Sequence, residues 1–182
     1  MTENLAFFYN KHNVKAIILG ADPGNFSNHG KDVEIKVAFG IGSGDPRYFN
    51  PILKNLESIG LSLTDVYIQN LITIDSGFET SSNPDWEKLA DANIQTRIAE
   101  FKLLDPRNKI PVLVTAERII RYLSIGKLPS AEIMYSEHAY HPILPSRNKL
   151  GRPIFPFFRH PKYDLFNDLC IEYKGTLQEI FK

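Results

Sequence analysis

One carboxylate, Asp22, stands in the loop that ends an apolar run, within the segment VKAIILGADPG from Val14 to Gly24. Gly20 gives the backbone freedom to turn and admits close approach of a ligand, and Pro23 stiffens the chain and drives Asp22 toward an extended conformation. A carboxylate fixed in this way at a strand end can act as a general base on a bound water. The plainer reading is a strand-to-loop turn with Asp in its usual role as turn former. Other side chains able to do chemistry follow apolar runs further along: Phe39 in VAFGIGS, Asn70 in IQNLITI, and two His-Pro pairs, His141-Pro142 and His160-Pro161. An asparagine amide presents an acceptor and donors together, so it can pair with a ligand that offers both. Each has an ordinary alternative, Phe39 as core and Asn70 as a strand-end residue satisfying loop backbone.

The elements that must position these residues alternate between strand and helix patterns. Strand-like runs occur at Val14–Leu19, Ile35–Ile41, Val66–Ile68, Ile110–Val114, Glu132–Tyr135 and Pro153–Phe158. The continuous apolar character of the first fits a strand buried on both faces of a parallel sheet. Asn50-Pro51 reads as an N-cap followed by proline at the first helical position, with Gly60 as the stop. Asn83-Pro84 opens a longer helix whose inward face carries Trp86, Leu89, Ala90, Ile94, Ile98 and Phe101, all read as core. A third helix starts after Thr115, buries Ile119, Ile120 and Leu123, and ends at Gly126. This pattern predicts an α/β fold: three α/β/α layers around a mainly parallel sheet of four or five strands, with loops converging at the strand ends.

The 182 residues are 43% hydrophobic, which suits a single domain spanning 1–182 with a substantial core. No basic leader precedes an apolar run, and no stretch reaches the roughly 18 apolar residues of a membrane span, so a cytoplasmic protein without membrane association is expected. The single cysteine, Cys170, excludes an internal disulfide and any multi-cysteine metal or iron–sulfur site, and reads as a buried apolar filler. Formal net charge is zero, which gives no global attraction to nucleic acid. Locally, however, Tyr140 to Tyr163 holds no acidic residue, while Arg147, Lys149, Arg152, Arg159 and Lys162 join both histidines, interleaved with Phe155, Phe157 and Phe158. Such a segment suits a phosphate backbone, unless acidic neighbours in space offset it.

Taken in order, these loops resemble the uracil-DNA glycosylase superfamily over most of the chain, from about Val14 to Phe166. LGADPG looks like that family's water-activating motif, VAFGIGS like the strand ending in its base-stacking phenylalanine, and IQNLITI like the strand with its uracil-reading asparagine. SNPDWEKL is similar to a helix opening in the family, and a late His-Pro resembles its final motif. The resemblance implies that Asp22 and His160 are catalytic and that Gly20, Ala21, Pro23, Phe39 and Asn70 bind the base. It implies a monomeric, cofactor-free and metal-free enzyme of base excision repair acting on DNA, single-stranded or mismatched. His160 follows GRPIFPFFR, like the strand before the family motif; His141 precedes ILPSR, which echoes another branch. His160 is favoured, and the other histidine falls to the adjoining basic loop. Where classical uracil-specific members place a tyrosine that excludes the thymine methyl, this chain has Gly24, as in the mismatch-specific branch. No clear intercalating loop is present; Leu144 and Leu165 are the candidates for a wedge.

Other chemistries fit less well. Glycines 40, 42 and 44 are misplaced for a dinucleotide loop, no helix starts at once, and Asp45-Pro46 puts a carboxylate where pyrophosphate belongs. Asp22 has no second carboxylate beside it for phosphotransfer with magnesium, and the five histidines lack metal-ligand spacing. The serious alternative is a catalytically inactive nucleic-acid- or nucleotide-binding protein of the same fold.

Overall fold

The computed structural model describes residues 4–23, 36–41, 49–74, 78, 80–135 and 142–182. It is an α/β fold around a four-stranded, all-parallel sheet. The strands are β1 (Ala16–Gly20), β2 (Val66–Asn70), β3 (Val112–Val114) and β4 (Ile154–Pro156), in the order β2-β1-β3-β4. Every strand residue is buried, as expected of a parallel sheet covered on both faces. The helices are α1 (Asn50–Ser58), α2 (Trp86–Leu104), α3 (Glu117–Leu123), α4 (Ala131–Met134) and α5 (Ile171–Phe181).

The chain leaves β1 toward β2 in one direction, then crosses back over β1 to reach β3. With right-handed crossovers this reversal puts α1 on one face of the sheet and α2 and α3 on the other. Side-chain contacts agree. The Trp86 and Tyr122 rings of α2 and α3 meet edge to face at 5.6 Å, and Gln178 of α5 donates to the Ser58 carbonyl of α1 at 2.7 Å. The topological switch lies between β1 and β3, the place where open α/β sheets form a crevice at their carboxyl ends. Among the described residues, no helix is long and apolar enough to cross a membrane.

Several expectations need correction. Residues 36–41 do not form a sheet strand: Val37 makes only a bridge to Leu5, and Phe39 and Gly40 both have left-handed backbone, φ 60° and 66°, which turns the chain. The rest of that expected strand, at Ile35, lies outside the described residues. The N-terminal segment instead guards the outer edge of β2, through a bridge from Phe7 to Ile68. Glu132–Tyr135, expected as a strand, belongs mostly to α4, whose Ser130 side chain caps the Ile133 amide. Asn50 is not the cap of α1 but its first residue, preceded by Phe49 without a side-chain cap. α2 begins at Trp86, while Asn83 accepts from the Asp85 amide just ahead of it at 3.0 Å. Cys170 is fully buried, and that burial raises its thiol pKa.

The basic segment proves largely offset. Arg152 is buried, donating to the Asn108 side chain and the Ile110 carbonyl and lying 3.5 Å from Asp105. Lys162 pairs with Glu132 at 2.6 Å and Lys149 lies 3.7 Å from Asp91, while Phe155, Phe157 and Phe158 are core. Leu165 is 1% exposed and cannot wedge into a duplex; Leu144 is 52% exposed. Gly24, His141 and residues 42–48 of the glycine-rich loop lie outside the described residues.

Candidate functional site

At the carboxyl end of β1 the pairing with β2 runs on past the strands. Gly20 stands opposite Asn70, and the Gly20 and Ala21 carbonyls accept from the Leu71 and Ile72 amides at 2.8 and 2.9 Å. On the other side the Thr115 amide and hydroxyl both donate to the Leu19 carbonyl, and the Arg159 amide donates to the Thr115 carbonyl at 3.3 Å. Asn70, Gly20, Thr115 and Arg159 therefore stand side by side across the sheet's edge. Three strand spacings separate the ends of this row, about 14 Å of backbone, a span that two inward side chains and a pyrimidine can bridge.

Gly20 is required here by close approach and not by backbone freedom. A Cβ at this position would collide with the Asn70 side-chain oxygen and with the Phe39 ring, whose nearest carbon would be 2.6 Å away. Asn70 and Phe39 thus converge on the space a larger residue would fill. The Asn70 amide nitrogen donates to the Asn4 side-chain oxygen at 3.1 Å, which orients its own oxygen over Gly20. Its backbone amide is taken by the Gln69 side chain at 2.8 Å. Phe39 is buried, edge-on to Phe49 at 6.2 Å, with the Arg159 guanidinium 5.8 Å above its ring.

Asp22 is half-buried beside buried Pro23. Its two oxygens accept separate hydrogen bonds, one from the Thr80 hydroxyl at 2.8 Å and one from the Trp86 indole nitrogen at 2.9 Å. Both donors are neutral groups, and together they fix the carboxylate's orientation. Trp86 is fully buried at the start of α2. Arg118 of α3 secures the loop that brings Thr80 in, donating to the Thr80 carbonyl and, at 3.0 Å, to that of Asn83, with its guanidinium 5.0 Å over the Trp86 ring.

His160 is exposed and lines a cleft of about 520 Å³, together with Thr115, Phe158, Arg159 and Tyr163. Its Nδ1 accepts from the Lys162 amide at 3.1 Å and so starts the single 3-10 turn Pro161–Tyr163. A ring that accepts at Nδ1 carries its proton on Nε2 in the neutral tautomer, which makes Nε2–H the available donor.

The structure thus brings Gly20, Phe39 and Asn70 into contact range of one point, with Ala21, Asp22 and Pro23 continuing the same loop. His160 lies beyond Thr115 on the far side of the switch point. Sequence reasoning missed Asn4, Thr80 and Arg118 altogether, and it read Trp86 as core alone. A buried tryptophan requires a partner for its indole N–H, and that requirement was the signal available. Among the described residues no group of histidine, cysteine and carboxylate side chains is disposed to hold a metal ion. No protein-family model matches the chain, and a search of curated proteins finds no match either.

Proposed function

We propose that this chain is a monofunctional DNA glycosylase, hydrolysing the N-glycosidic bond of uracil or a related deaminated base in base excision repair. What supports the reading is the placement of an oriented carboxylate, Asp22, two residues from the point where Asn70 and Phe39 converge on Gly20. A base extruded from single-stranded or mispaired DNA enters at the β1/β3 switch point. The Asn70 oxygen accepts from uracil N3–H and the second amide proton donates to O4, a pattern that cytosine inverts. Phe39 supplies the apolar surface beside it. Asp22 orients a water toward the sugar's anomeric carbon. The carbon–nitrogen bond breaks with its electron pair leaving on the base, the carbon–oxygen bond forms, and the water's proton passes to the carboxylate. His160, donating through Nε2, stabilises the charge that gathers on the uracil O2. No cofactor enters this scheme; the protein acts as a cytoplasmic monomer.

The test is alkaline cleavage of abasic sites in single-stranded and mismatched oligonucleotides carrying one uracil. Asp22→Asn lowers the rate by about 10²- to 10⁴-fold, the range of a lost general base. His160→Ala lowers it by about 10²- to 10³-fold, the cost of one lost oxyanion donor. Equal loss with His141→Ala and none with His160→Ala would transfer the role to His141. The burial of Phe39 beneath Arg159 and of Leu165 in the core favours a second reading, a binding protein without turnover. In that case wild type releases no base although it binds the oligonucleotide.

A further inference from the structure

The segment from Pro142 to Arg147, which the proposed reaction leaves without a part, lines a cavity of about 360 Å³ that shares no residue with the His160 cleft. α3 separates the two: Glu117, its first residue, lines the cleft, and Ile125, just past its end, lines the cavity. The walls are held by backbone ties. Ile143 bridges to Ile154 at the outer edge of β4, donating at 2.9 Å and accepting at 3.2 Å, and the Ile125 amide donates to the Arg147 carbonyl at 2.8 Å. Buried Asn148 secures the same segment, its amide nitrogen donating to the carbonyls of Ile143, Leu144 and Arg152. The rest of the lining comes from Met134 of α4 and the loop ahead of that helix. The space is therefore preformed, and a ligand need not order the chain in order to enter it.

The lining has two characters. Leu128, Met134 and Ile143 present hydrocarbon, Ile125 and Leu144 carry it out to the surface, and Pro129, Pro142 and Pro156 have no N–H to offer. Much of the polar backbone is already engaged: Ile143 with Ile154, the Leu144 carbonyl with the Arg147 amide, and the Pro156 carbonyl with the Tyr173 hydroxyl. A polar group pushed among these side chains would lose water without gaining a partner. Lys127 and Arg147, by contrast, are exposed, and neither has an ion-pair partner among the described residues. No carboxylate is found among the described lining residues, and Glu132, the carboxylate of α4, is held by Lys162. Shape and charge together complement one ligand chemistry, an apolar chain that ends in an anion. We infer that this cavity binds an unbranched aliphatic carboxylate, its chain against Leu128, Met134 and Ile143 and its head between Lys127 and Arg147, whose guanidinium fork donates to both carboxylate oxygens. The volume stands near the low end of the roughly 300–1,000 Å³ of small-molecule sites, which selects a chain of medium length. The site is independent of the proposed reaction.

The probes are hexanoate, octanoate and decanoate, with octanol as the uncharged control. Affinity is measured by titration calorimetry for wild type, Lys127→Gln, Arg147→Gln, the double variant and Ile125→Glu. These substitutions alter exposed side chains only, and urea midpoints verify that each protein folds. We expect affinity to rise about four-fold for each added methylene, the value of one CH₂ removed from water. Each Gln variant should weaken octanoate by about two- to five-fold, the range of one exposed ion pair, and leave octanol unchanged. Ile125→Glu sets a carboxylate beside the head and should weaken octanoate while sparing octanol. Affinity that ignores chain length, equal binding of octanoate and octanol by wild type, or full octanoate affinity in the double variant would each overturn the inference. Two other occupants would overturn it as well. Dimerisation in sedimentation that Ile125→Glu abolishes would give the cavity to a second copy of the chain. Binding of acetyl-Leu-Leu-Glu amide that the double variant loses, by a protein that takes up no octanoate, would give it to an acidic segment of a protein partner.

Discussion

Trp86 serves both the core and the site, and its two roles are separable by substitution. Its rings are fully buried and packed edge-on to Tyr122, while its N–H holds one Asp22 oxygen. Trp86→Phe keeps much of the apolar contact and removes the donor. We expect a stability loss of about 1–3 kcal/mol from the incompletely filled site, and a fall in rate toward about 10²-fold from a carboxylate free to swing. Thr80→Val removes the other donor at nearly constant shape. It should also slow the reaction, with a much smaller change in denaturation midpoint. Comparing base release with urea midpoints for the two variants checks this, and equal, small rate effects tracking stability alone would show that orientation of Asp22 is unimportant. Asp22, Phe39 and Asn70 were legible as candidates because each follows an apolar run. Their supports were not, since Asn4 and Thr80 lie 66 and 58 residues from the partners they hold. Side-chain hydrogen bonds of that sequence separation leave no periodic trace.

At the level of elements, legibility followed the strength of the periodic signal. β1 and β2 were evident from apolar runs, and α2 and α3 from their helical spacing, whereas short pieces failed. Residues 132–135 alternate like a strand, yet Ser130 supplies an N-cap and Ala131, Glu132 and Met134 favour helix, so capping outweighed alternation. Residues 36–41 carry β-branched residues, yet consecutive left-handed conformations at Phe39 and Gly40 end any extended run. That turn is what delivers the Phe39 ring to Gly20, so the misread element belongs to the site. The β1–β2 edge therefore depends on a missing methyl. Gly20→Ala forces the Phe39 ring and the Asn70 oxygen aside, and we expect destabilisation of about 1–3 kcal/mol, the cost of overpacking a filled interior. Asn70→Ala in the same background should recover part of that loss by removing one of the two colliding groups. Urea denaturation of the single and double variants measures it; additive losses would mean that the collision is absorbed elsewhere.

Among the described residues three tyrosines, Tyr67, Tyr135 and Tyr173, are buried within a mainly aliphatic core, and they give the stability of the whole molecule an alkaline limit. Burial, assisted by the charge of Glu100 and opposed by Arg97, pushes the Tyr67 phenol up to about 12. Burial holds Tyr135 and Tyr173 well above 10 as well. Tyr173 donates to the Pro156 carbonyl at 2.7 Å, at the end of β4, so its neutral form is built into the layer between α5 and the sheet. A folded pKa raised above the unfolded value of 10 means that the native state retains its proton where the unfolded chain has lost it. Stability from these groups is therefore complete below pH 10 and declines as pH rises above it. Tyr67 alone contributes a slope of about 1.4 kcal/mol per pH unit between pH 10 and 12, and the two deeper phenols steepen it. Urea midpoints measured from pH 8 upward should hold nearly level and then fall. Tyr67→Phe removes one ionisation from the folded and unfolded states alike, so it should flatten the decline by about that slope. A decline that is unchanged in Tyr67→Phe would show that this phenol titrates within the native fold, and that the contacts among Tyr67, Phe101 and Phe8 are open to solvent.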